Sequence, residues 1–378
     1  VNFIEYLGAG SMSANKLSEA MYQLGSSFSV SSGTEESYVY LSGIQKNFEE
    51  SLKLFEQLLT NPQNNESAFK SMIADIKTQR INNKSNKRAI AGALRSFALY
   101  GKDNPFNYQL SSEELDNLSS TKLIEIIKDL MNYKHTIMYY GPEEMKSVEE
   151  KVANIHGIAS DWKAIQTKKA FTPLVNKNTT VFFAQYDNMV QAQINWIKRS
   201  EKFDINQMAI ADLHSNYFGG GMSGVVFQTI RESKSLAYSS YSSYRTANKK
   251  DKYNQVFSFV GTQSDKMKDA IIAMNELHNN LPIAEQNYER AKSAALSQIR
   301  TARTYGSGLF WYKRSLEEMG LNKEYQSEKM ENVKQTTFAE MQEFHKNAYG
   351  KSPFNYAILG DNFPSKRLSE TALRVLFN

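Results

Sequence analysis

The sequence of 378 residues contains no cysteine. This absence excludes disulfide bonds, thiolate ligands for zinc and cysteine nucleophiles. Long apolar runs are also missing, because no stretch approaches the ~18 consecutive apolar residues of a membrane-spanning helix. No membrane span is therefore predicted. Neither absence decides the compartment, and a cytoplasmic or a periplasmic location is compatible with the sequence.

A strong charge of one sign is absent too. The 45 basic and 40 acidic residues leave a formal net charge of +5, which is weak for a chain of this length. No recognised nucleic-acid-binding motif accompanies the charge, so no nucleic-acid partner is predicted. With 41% hydrophobic and 22% charged residues, the chain has the composition of an ordinary globular protein, and its length predicts two domains.

Motifs for metal or nucleophilic catalysis are lacking. No two of the five histidines lie within five residues of each other, so H-E-x-x-H and H-x-x-E-H are both absent. The sequence contains no G-x-S-x-G elbow either. A metal site built from distant histidines stays open as an alternative to isolated surface or core histidines. The five are His135, His156, His214, His278 and His345.

An internal repeat is present instead. The amphipathic segment 46–62 ends in Pro62, and the similar segment 266–282 ends in Pro282, 220 positions later. Such an offset is the signature of a duplicated unit when other markers share it. The other marker pairs, at offsets of 218 to 220, are Gly43 and Gly261, Arg80 and Arg300, and Gly141 and Gly360. The repeat predicts two tandem homologous α+β domains with the same strand order.

The domain boundaries follow from composition. The polar, proline-containing stretch around Pro173 reads as a linker, which places the domains at 1–165 and 178–378 with a linker at 166–177. Each domain is expected to be a largely antiparallel sheet packed with helices. Predicted strands are 37–42, 136–140, 189–197, 255–260 and 356–359, and helical patterns cover 205–217, 282–303 and 338–349.

A glycine cluster, Gly219–Gly224, matches the dinucleotide pattern G-x-G-x-x-G. That fingerprint requires a strand before it, whereas the preceding segment 205–217 has helical spacing. The helical spacing before the cluster therefore argues against nucleotide binding. The cluster is interpreted as a tight turn in which glycine permits positive φ.

Near the amino terminus, Asn2-Phe-Ile-Glu5-Tyr6 is followed by a glycine turn and by the segment 17–29, which contains Leu24-Gly25. This region resembles the inverted zinc motif H-x-x-E-H of insulinase/pitrilysin peptidases. Asn2 and Tyr6 stand at the positions of the two histidine ligands, Glu5 keeps the position of the general base, and Asp75 is the nearest match to the third ligand. The resemblance implies a degenerate motif, and therefore no metal and no cofactor in this chain.

The segment 217–239, with Gly-Gly-Gly-Met-Ser and Arg-Glu-Ser followed by Leu-Ala-Tyr, resembles the family's second signature. It departs from the usual pattern at Val225, where arginine is common, and at Ser235, where glycine is common. In active members an arginine and a tyrosine seven residues later reach the zinc centre and hold the substrate and the oxyanion. Arg231 and Tyr238 match these two positions.

The resemblance as a whole implies the carboxy-terminal, non-catalytic half of a zinc metallopeptidase. It implies a partner, either a zinc-bearing amino-terminal half or a separate homologous subunit, with the zinc in that partner and a peptide as substrate. The isolated chain is then expected to be inactive. The alternative is a fully inactive scaffold or binding subunit of the same fold, in which Arg231 pairs with Glu232 and Tyr238 belongs to the core.

Overall fold

The computed structural model describes residues 1–33, 35–157, 161–350 and 352–361. The chain divides into two compact units. The first unit comprises Val1–Asn82 and Gln109–Ala170, and the second comprises Asn83–Tyr108 and the chain from Phe171 onward. No helix in these ranges combines the length and the apolarity needed to cross a bilayer.

Helices occur in both units. In chain order they are Ala14–Gln23 (α1), Phe48–Thr60 (α2), Glu66–Asn83 (α3), Lys87–Tyr100 (α4), Ser112–Asp116 (α5), Ser120–Asp129 (α6), Met145–Ile155 (α7), Met208–His214 (α8), Val225–Phe227 (α9), Met267–Asn279 (α10), Glu285–Thr301 (α11), Gly308–Met319 (α12), Gln326–Gln335 (α13) and Phe338–His345 (α14). Several begin with side-chain caps. Thr337, for example, accepts from the backbone N–H of Glu340, whose carboxylate accepts from the N–H of Thr337.

The strands form separate sheets in the two units. They are Gly8–Ala9 (β1), Ser26–Ser32 (β2), Ser37–Gly43 (β3), Pro62–Gln63 (β4), Thr180–Gln185 (β5), Gln191–Lys202 (β6), Ser239–Arg245 (β7), Tyr253–Gln263 (β8) and Asn355–Gly360 (β9). In the first unit β1 pairs with β4 and β2 with β3. In the second unit five strands lie in the order β5-β9-β6-β8-β7.

The sheet of the second unit is buried on both faces. Ile194 and Trp196 of β6 point into a core shared with α8, α10, α11 and α14, whereas Ile197 packs on the opposite face against Ala98 and Leu99 of α4. This alternation is the period of two that a strand imposes on its side chains. Of the strand pairs in the described part of the chain, β5–β9 is the parallel one and the others are antiparallel, so the predicted α+β fold with a largely antiparallel sheet is confirmed.

The first unit is smaller and has its own core. The 3-10 turn Asn2–Tyr6 buries Phe3 and Ile4 against α2, whose apolar stripe includes Phe55, Leu58 and Leu59. Because these three residues recur at helical spacing, α2 presents one apolar face to the core.

The two units share a hairpin and two helices in the same order. Strands β2 and β3 form seven residue pairs beginning at Ser26 and Gly43, and strands β7 and β8 form seven pairs beginning at Ser239 and Gly261. In each unit the second strand leads through a 3-10 turn into a helix and then, after a proline, into another helix: α2 and α3, or α10 and α11.

The prediction of a strand at 136–140 is wrong, because these residues form none. Its expected equivalent, β9, exists because it lies between β5 and β6. The described residues of the first unit contain no strand beside 136–140 to pair with it. The same strand order is therefore not found in both units, and the tandem homology stays a prediction.

The division into units also differs from the predicted boundaries in one respect. Residues 83–108, placed in the first domain from sequence, pack with the second unit, where the Asn355 amide donates to the Ala98 carbonyl at 2.6 Å. Part of the predicted linker packs there too, because the Leu174 N–H donates to the Leu99 carbonyl at 2.8 Å. The apolar face of α4 packs on the sheet of the second unit.

Candidate functional site

The glycine cluster forms a tight turn beside β7. A Cβ atom on Gly219 would lie 1.8 Å from the carbonyl oxygen of Ser242, so only glycine permits this close approach of two backbones. Gly221 has a φ of 65° in the same turn. The turn follows a helix, as the sequence predicted, and its glycines are explained by packing and backbone conformation.

After this turn, α9 and the π-helical turn Gln228–Ser233 place Arg231 at the surface. Val226 and Ile230 are fully buried and lie four residues apart, so they fix one face of this turn in the core. Arg231, the next residue, is therefore directed outward, and its side chain is 39% exposed.

Tyr238 lies between this turn and β7. The backbone reverses at Ser235, whose φ of 48° falls in the left-handed region, and the Leu236 N–H then donates to the Ile230 carbonyl at 2.9 Å. Tyr238 is 72% exposed. The alternative of a purely structural role placed Tyr238 in the core. The exposure of Tyr238 does not agree with that placement.

Arg231 and Tyr238 contact each other. The guanidinium carbon lies 5.0 Å from the centroid of the Tyr238 ring and 4.9 Å from that of Phe227, both within the range of a cation–π interaction. Arg231 Nε also lies 3.5 Å from Glu232 Oε1. The arrangement holds the arginine against two rings while leaving part of its side chain in solvent. It can offer N–H and O–H donors to a carbonyl or carboxylate.

The degenerate zinc-motif positions lie in the first unit. Asn2, Glu5 and Tyr6 occupy one exposed 3-10 turn, and Asp75 is exposed on α3. Glu5 Oε1 accepts from the Val30 N–H at 3.4 Å. The side chain that matches the general base therefore hydrogen-bonds to β2.

These residues do not fit a zinc site. Zinc in proteins prefers imidazole and thiolate ligands, and the turn Asn2–Tyr6 offers an amide, a carboxylate and a phenol. Across the described ranges, no three His, Cys, Asp or Glu side chains are placed to hold a metal ion together. No catalytic step through a metal in this chain follows from the structure.

Two histidine contacts connect residues far apart in the sequence. In the first unit, the Nε2 atoms of His135 and His156 are 2.7 Å apart, and His156 Nδ1 lies 2.7 Å from Glu56 Oε1. In the second, His214 Nε2 lies 2.9 Å from His345 Nδ1. Spacing along the chain gave no signal for either contact, because each depends on tertiary packing.

The histidines of the second unit are core residues. His278 Nε2 lies 2.9 Å from Ser258 Oγ, and His345 Nε2 lies 3.0 Å from the Leu277 carbonyl. Burial lowers the pKa of His345 to about 4 and holds the pKa values of His214 and His278 well below their usual range. These side chains are therefore neutral at pH 7. The Nδ1 atoms of His214 and His278 are buried without a hydrogen-bond partner among the described residues.

Residues 136–295 match the family model described as the peptidase M16 inactive domain. No curated protein sequence matches the chain. Solved structures do match. A peptidase M16 inactive domain from Pseudomonas fluorescens is 14% identical with a TM-score of 0.70, and the alignment covers 95% of this chain and 87% of that one.

Two longer proteases share the fold. The periplasmic protease PqqL from Escherichia coli is 14% identical with a TM-score of 0.69, and the ferredoxin protease FusC, solved with Arabidopsis ferredoxin, is 12% identical with a TM-score of 0.72. Both alignments cover 95% of this chain, but it spans only 40% of PqqL and 39% of FusC. The family match and the shared fold confirm the resemblance drawn from sequence, which is to the carboxy-terminal, non-catalytic half of an insulinase-type (M16) peptidase.

Proposed function

We propose that this chain closes over a zinc-bearing half, binds peptide substrate and completes the active site of a zinc-dependent peptidase. The observation that carries the proposal is the Arg231–Tyr238 pair. Tyr238 is 72% exposed, and the Arg231 guanidinium lies 5.0 Å from its ring. An exposed tyrosine held beside an arginine has no packing role that accounts for both side chains.

The chemistry of the pair suits substrate binding. The Arg231 guanidinium presents fixed N–H donors to a backbone carbonyl or a carboxylate of the peptide. The Tyr238 hydroxyl can donate to the carbonyl oxygen on which negative charge develops. Zinc, expected in the partner half, would supply the activated water.

The partner is a zinc-bearing amino-terminal half of the same protein or a separate homologous subunit. PqqL and FusC support a longer functional protein, because each is more than twice the length that this chain covers. FusC was solved with a protein, ferredoxin, which supports a polypeptide substrate class. The proposal includes descent of both units from one duplicated domain. The seven-pair hairpin that precedes two helices in each unit supports this.

A second candidate is a fully inactive scaffold or binding subunit. The contact between Arg231 Nε and Glu232 Oε1 at 3.5 Å favours it, since an arginine paired with its neighbour can serve structure alone. The two candidates differ in whether the Tyr238 hydroxyl affects turnover.

The test is Tyr238→Phe in the enzyme reconstituted with its zinc-bearing partner. Loss of one donor to a developing oxyanion lowers kcat by roughly 10²–10³, and we expect that loss with unchanged zinc content. Arg231→Ala should also raise the Kd for peptide, because a charged anchor is removed. Steady-state kinetics and peptide-binding titrations measure the two effects.

The matched control is Tyr305→Phe, which removes the hydroxyl of another exposed tyrosine (76%) outside the signature. It should leave kcat unchanged. If Tyr238→Phe behaves like this control, the pair is structural and the scaffold function is favoured.

A further inference from the structure

Two arginines of the second unit contact the same aromatic ring. Arg95 lies on α4, and Arg245 is the last residue of β7. Their guanidinium carbons lie 5.9 and 4.5 Å from the centroid of the Phe257 ring in β8, within the range of a cation–π interaction. Arg95 is half-buried and Arg245 is exposed. Two positive charges are therefore held close together on one face of the sheet.

The local structure explains why both side chains reach this ring. In the β7–β8 ladder Phe257 lies opposite Ser243, two residues before Arg245, so Arg245 and Phe257 are diagonal neighbours on one face. On α4, Ala98 packs in the same small core as Phe257, and Arg95 lies one turn earlier on the same face of the helix. A strand and a helix thus bring the two guanidiniums to the ring from different directions.

The two guanidiniums have no negative partner. Within the ranges that the structure describes, the side chains of Arg95 and Arg245 form no hydrogen bond and no ion pair with a carboxylate. Burial lowers the pKa of Arg95, while the phenol of Tyr241 opposes this effect and the charge of Arg245 adds to it. Like charges held together without a counter-charge cost free energy. The position is therefore suited to an anion.

An aromatic surface borders the two charges. Tyr241 of β7 is 40% exposed, and its ring stacks on that of Phe259 with the centroids 5.2 Å apart. The Tyr241 ring also lies 5.8 Å from the ring of Phe257, so the aromatic surface continues from the arginines. A free inorganic anion can use the charges but not the rings. A polypeptide that carries a carboxylate beside an apolar side chain can use both.

We propose that Arg95, Arg245 and Tyr241 form a binding site for an acidic segment of polypeptide. The guanidiniums bind a glutamate or aspartate carboxylate, and the Tyr241 ring packs against a neighbouring apolar side chain. The inference rests on the proposed function in taking a peptide as the ligand, and it names the class of peptide: one with acidic residues next to apolar ones. These residues serve binding and take no part in bond cleavage.

The experiment measures peptide binding to the purified full chain by fluorescence anisotropy. The acidic probe is a dye-labelled, amidated peptide of Glu-Phe-Ser repeats, and the neutral probe replaces each glutamate with glutamine. We expect the acidic probe to bind at least about tenfold more tightly, because two guanidiniums pair with its carboxylates. Added salt should reduce this preference, since it screens exposed charges.

Substitutions separate the charged part of the site from the aromatic part. Arg95→Gln and Arg245→Gln should each raise the Kd of the acidic probe about fivefold and leave that of the neutral probe unchanged. Tyr241→Ser should weaken both probes alike, because the ring contact does not depend on a carboxylate. The matched control is Arg290→Gln, which removes an exposed positive charge from α11 on the other face of the sheet and should change neither Kd.

The proposal is overturned if the two probes bind the unmodified chain equally, or if Arg290→Gln weakens the acidic probe as much as the two site variants do. It is also overturned if inorganic phosphate binds as tightly as the acidic probe, since the occupant would then be a free anion. Arg245→Gln alone decides the test if Arg95→Gln does not fold, because Arg245 is exposed. Binding is measured without the zinc-bearing partner, so its failure is distinct from an unchanged turnover in Tyr238→Phe.

Discussion

The hairpins β2–β3 and β7–β8 each contain seven residue pairs, but the second strand of each lies in a very different environment. Most of β8 is buried between β6 and β7, whereas most of β3 is exposed. Both runs are rich in aromatic and β-branched residues. The comparison teaches that the burial of a strand is set by its neighbours in the sheet more than by its own residues.

The cores differ in their polar content as well. The second unit buries Lys198, whose ammonium donates to the carbonyls of Tyr349 and Ser352 at 2.9 and 3.2 Å. Burial lowers the pKa of Lys198 to about 8. With His214, His278 and His345 buried nearby in the same unit, its stability should depend on pH.

The largest expected effect contrasts the same segment in the two units. Ile358 of β9 is 1% exposed and Ile137 is 51% exposed. Ile358→Ala should lower the free energy of unfolding of the second unit by about 2–5 kcal/mol, because it leaves a cavity. Ile137→Ala should change the stability of the first unit by less than about 0.5 kcal/mol. Denaturant titrations of both variants measure the difference.

Equal and large losses of stability for both variants would mean that segment 136–140 is packed in solution.

The next effect concerns acid. Burial lowers the pKa of His345 from 6.5 to about 4, so the unfolded state binds more protons in this range. The stabilisation is complete above pH 6.5 and is lost as the pH falls toward 4. A pKa shift of this size lowers the free energy of unfolding by about 3 kcal/mol once His345 is protonated in both the folded and the unfolded state. Exchange rates of the β8 amides, measured from pH 7 to pH 5, report the loss after correction for intrinsic exchange.

His345→Gln can still donate to the Leu277 carbonyl but has no imidazole to protonate. It should reduce the slope of the pH dependence of the second unit but leave part of it, because His214 and His278 also have lowered pKa values. His135→Gln, in the first unit, is the matched control and should leave that dependence unchanged. A slope in His345→Gln equal to that of the unmodified chain would show that His345 does not contribute to the acid sensitivity.

The smallest effect concerns the turn before Tyr238. Ser235 adopts a φ of 48°, which costs a non-glycine residue roughly 1–2 kcal/mol relative to glycine. The flexibility of glycine in the unfolded chain offsets part of this gain. Ser235→Gly should therefore stabilise the second unit by up to about 1 kcal/mol.

Ser18→Gly is the opposite-sign control for this turn. Ser18 is exposed within α1, where glycine destabilises a helix by roughly 0.5–1 kcal/mol. Thermal unfolding of the two variants should show shifts in opposite directions. A destabilising Ser235→Gly would mean that the serine side chain itself supports the turn.

The same comparison shows how far the sequence could predict the molecule. Local signals in the sequence, periodicity, proline positions and β-rich runs, located α2, α10, β3 and β8. The prediction of a strand at 136–140 was wrong because the formation of a strand there depends on a neighbouring strand. The packing of α4 on the second unit was missed for a similar reason, since an apolar helix face does not identify the surface that it covers.

The candidate site divides in the same way. The signature residues Arg231 and Tyr238 could be selected from the resemblance, and the seven-residue spacing is a local feature. The ring of Phe227, which also contacts Arg231, could not be selected, because this contact depends on the π-helical turn. The contact between His135 and His156, which are 21 residues apart, could not be predicted from the sequence either.

The central claim is that this chain is a half without the metal, and its zinc content tests that most directly. The purified chain is washed with chelator, refilled with Zn²⁺, dialysed and analysed for metal. Because Asn2 and Tyr6 offer an amide and a phenol, not imidazoles, and Glu5 hydrogen-bonds to Val30, we expect well under one zinc per chain and no peptide cleavage by the chain alone. One tightly bound zinc per chain, lost on Glu5→Gln or Asp75→Asn, would contradict the account.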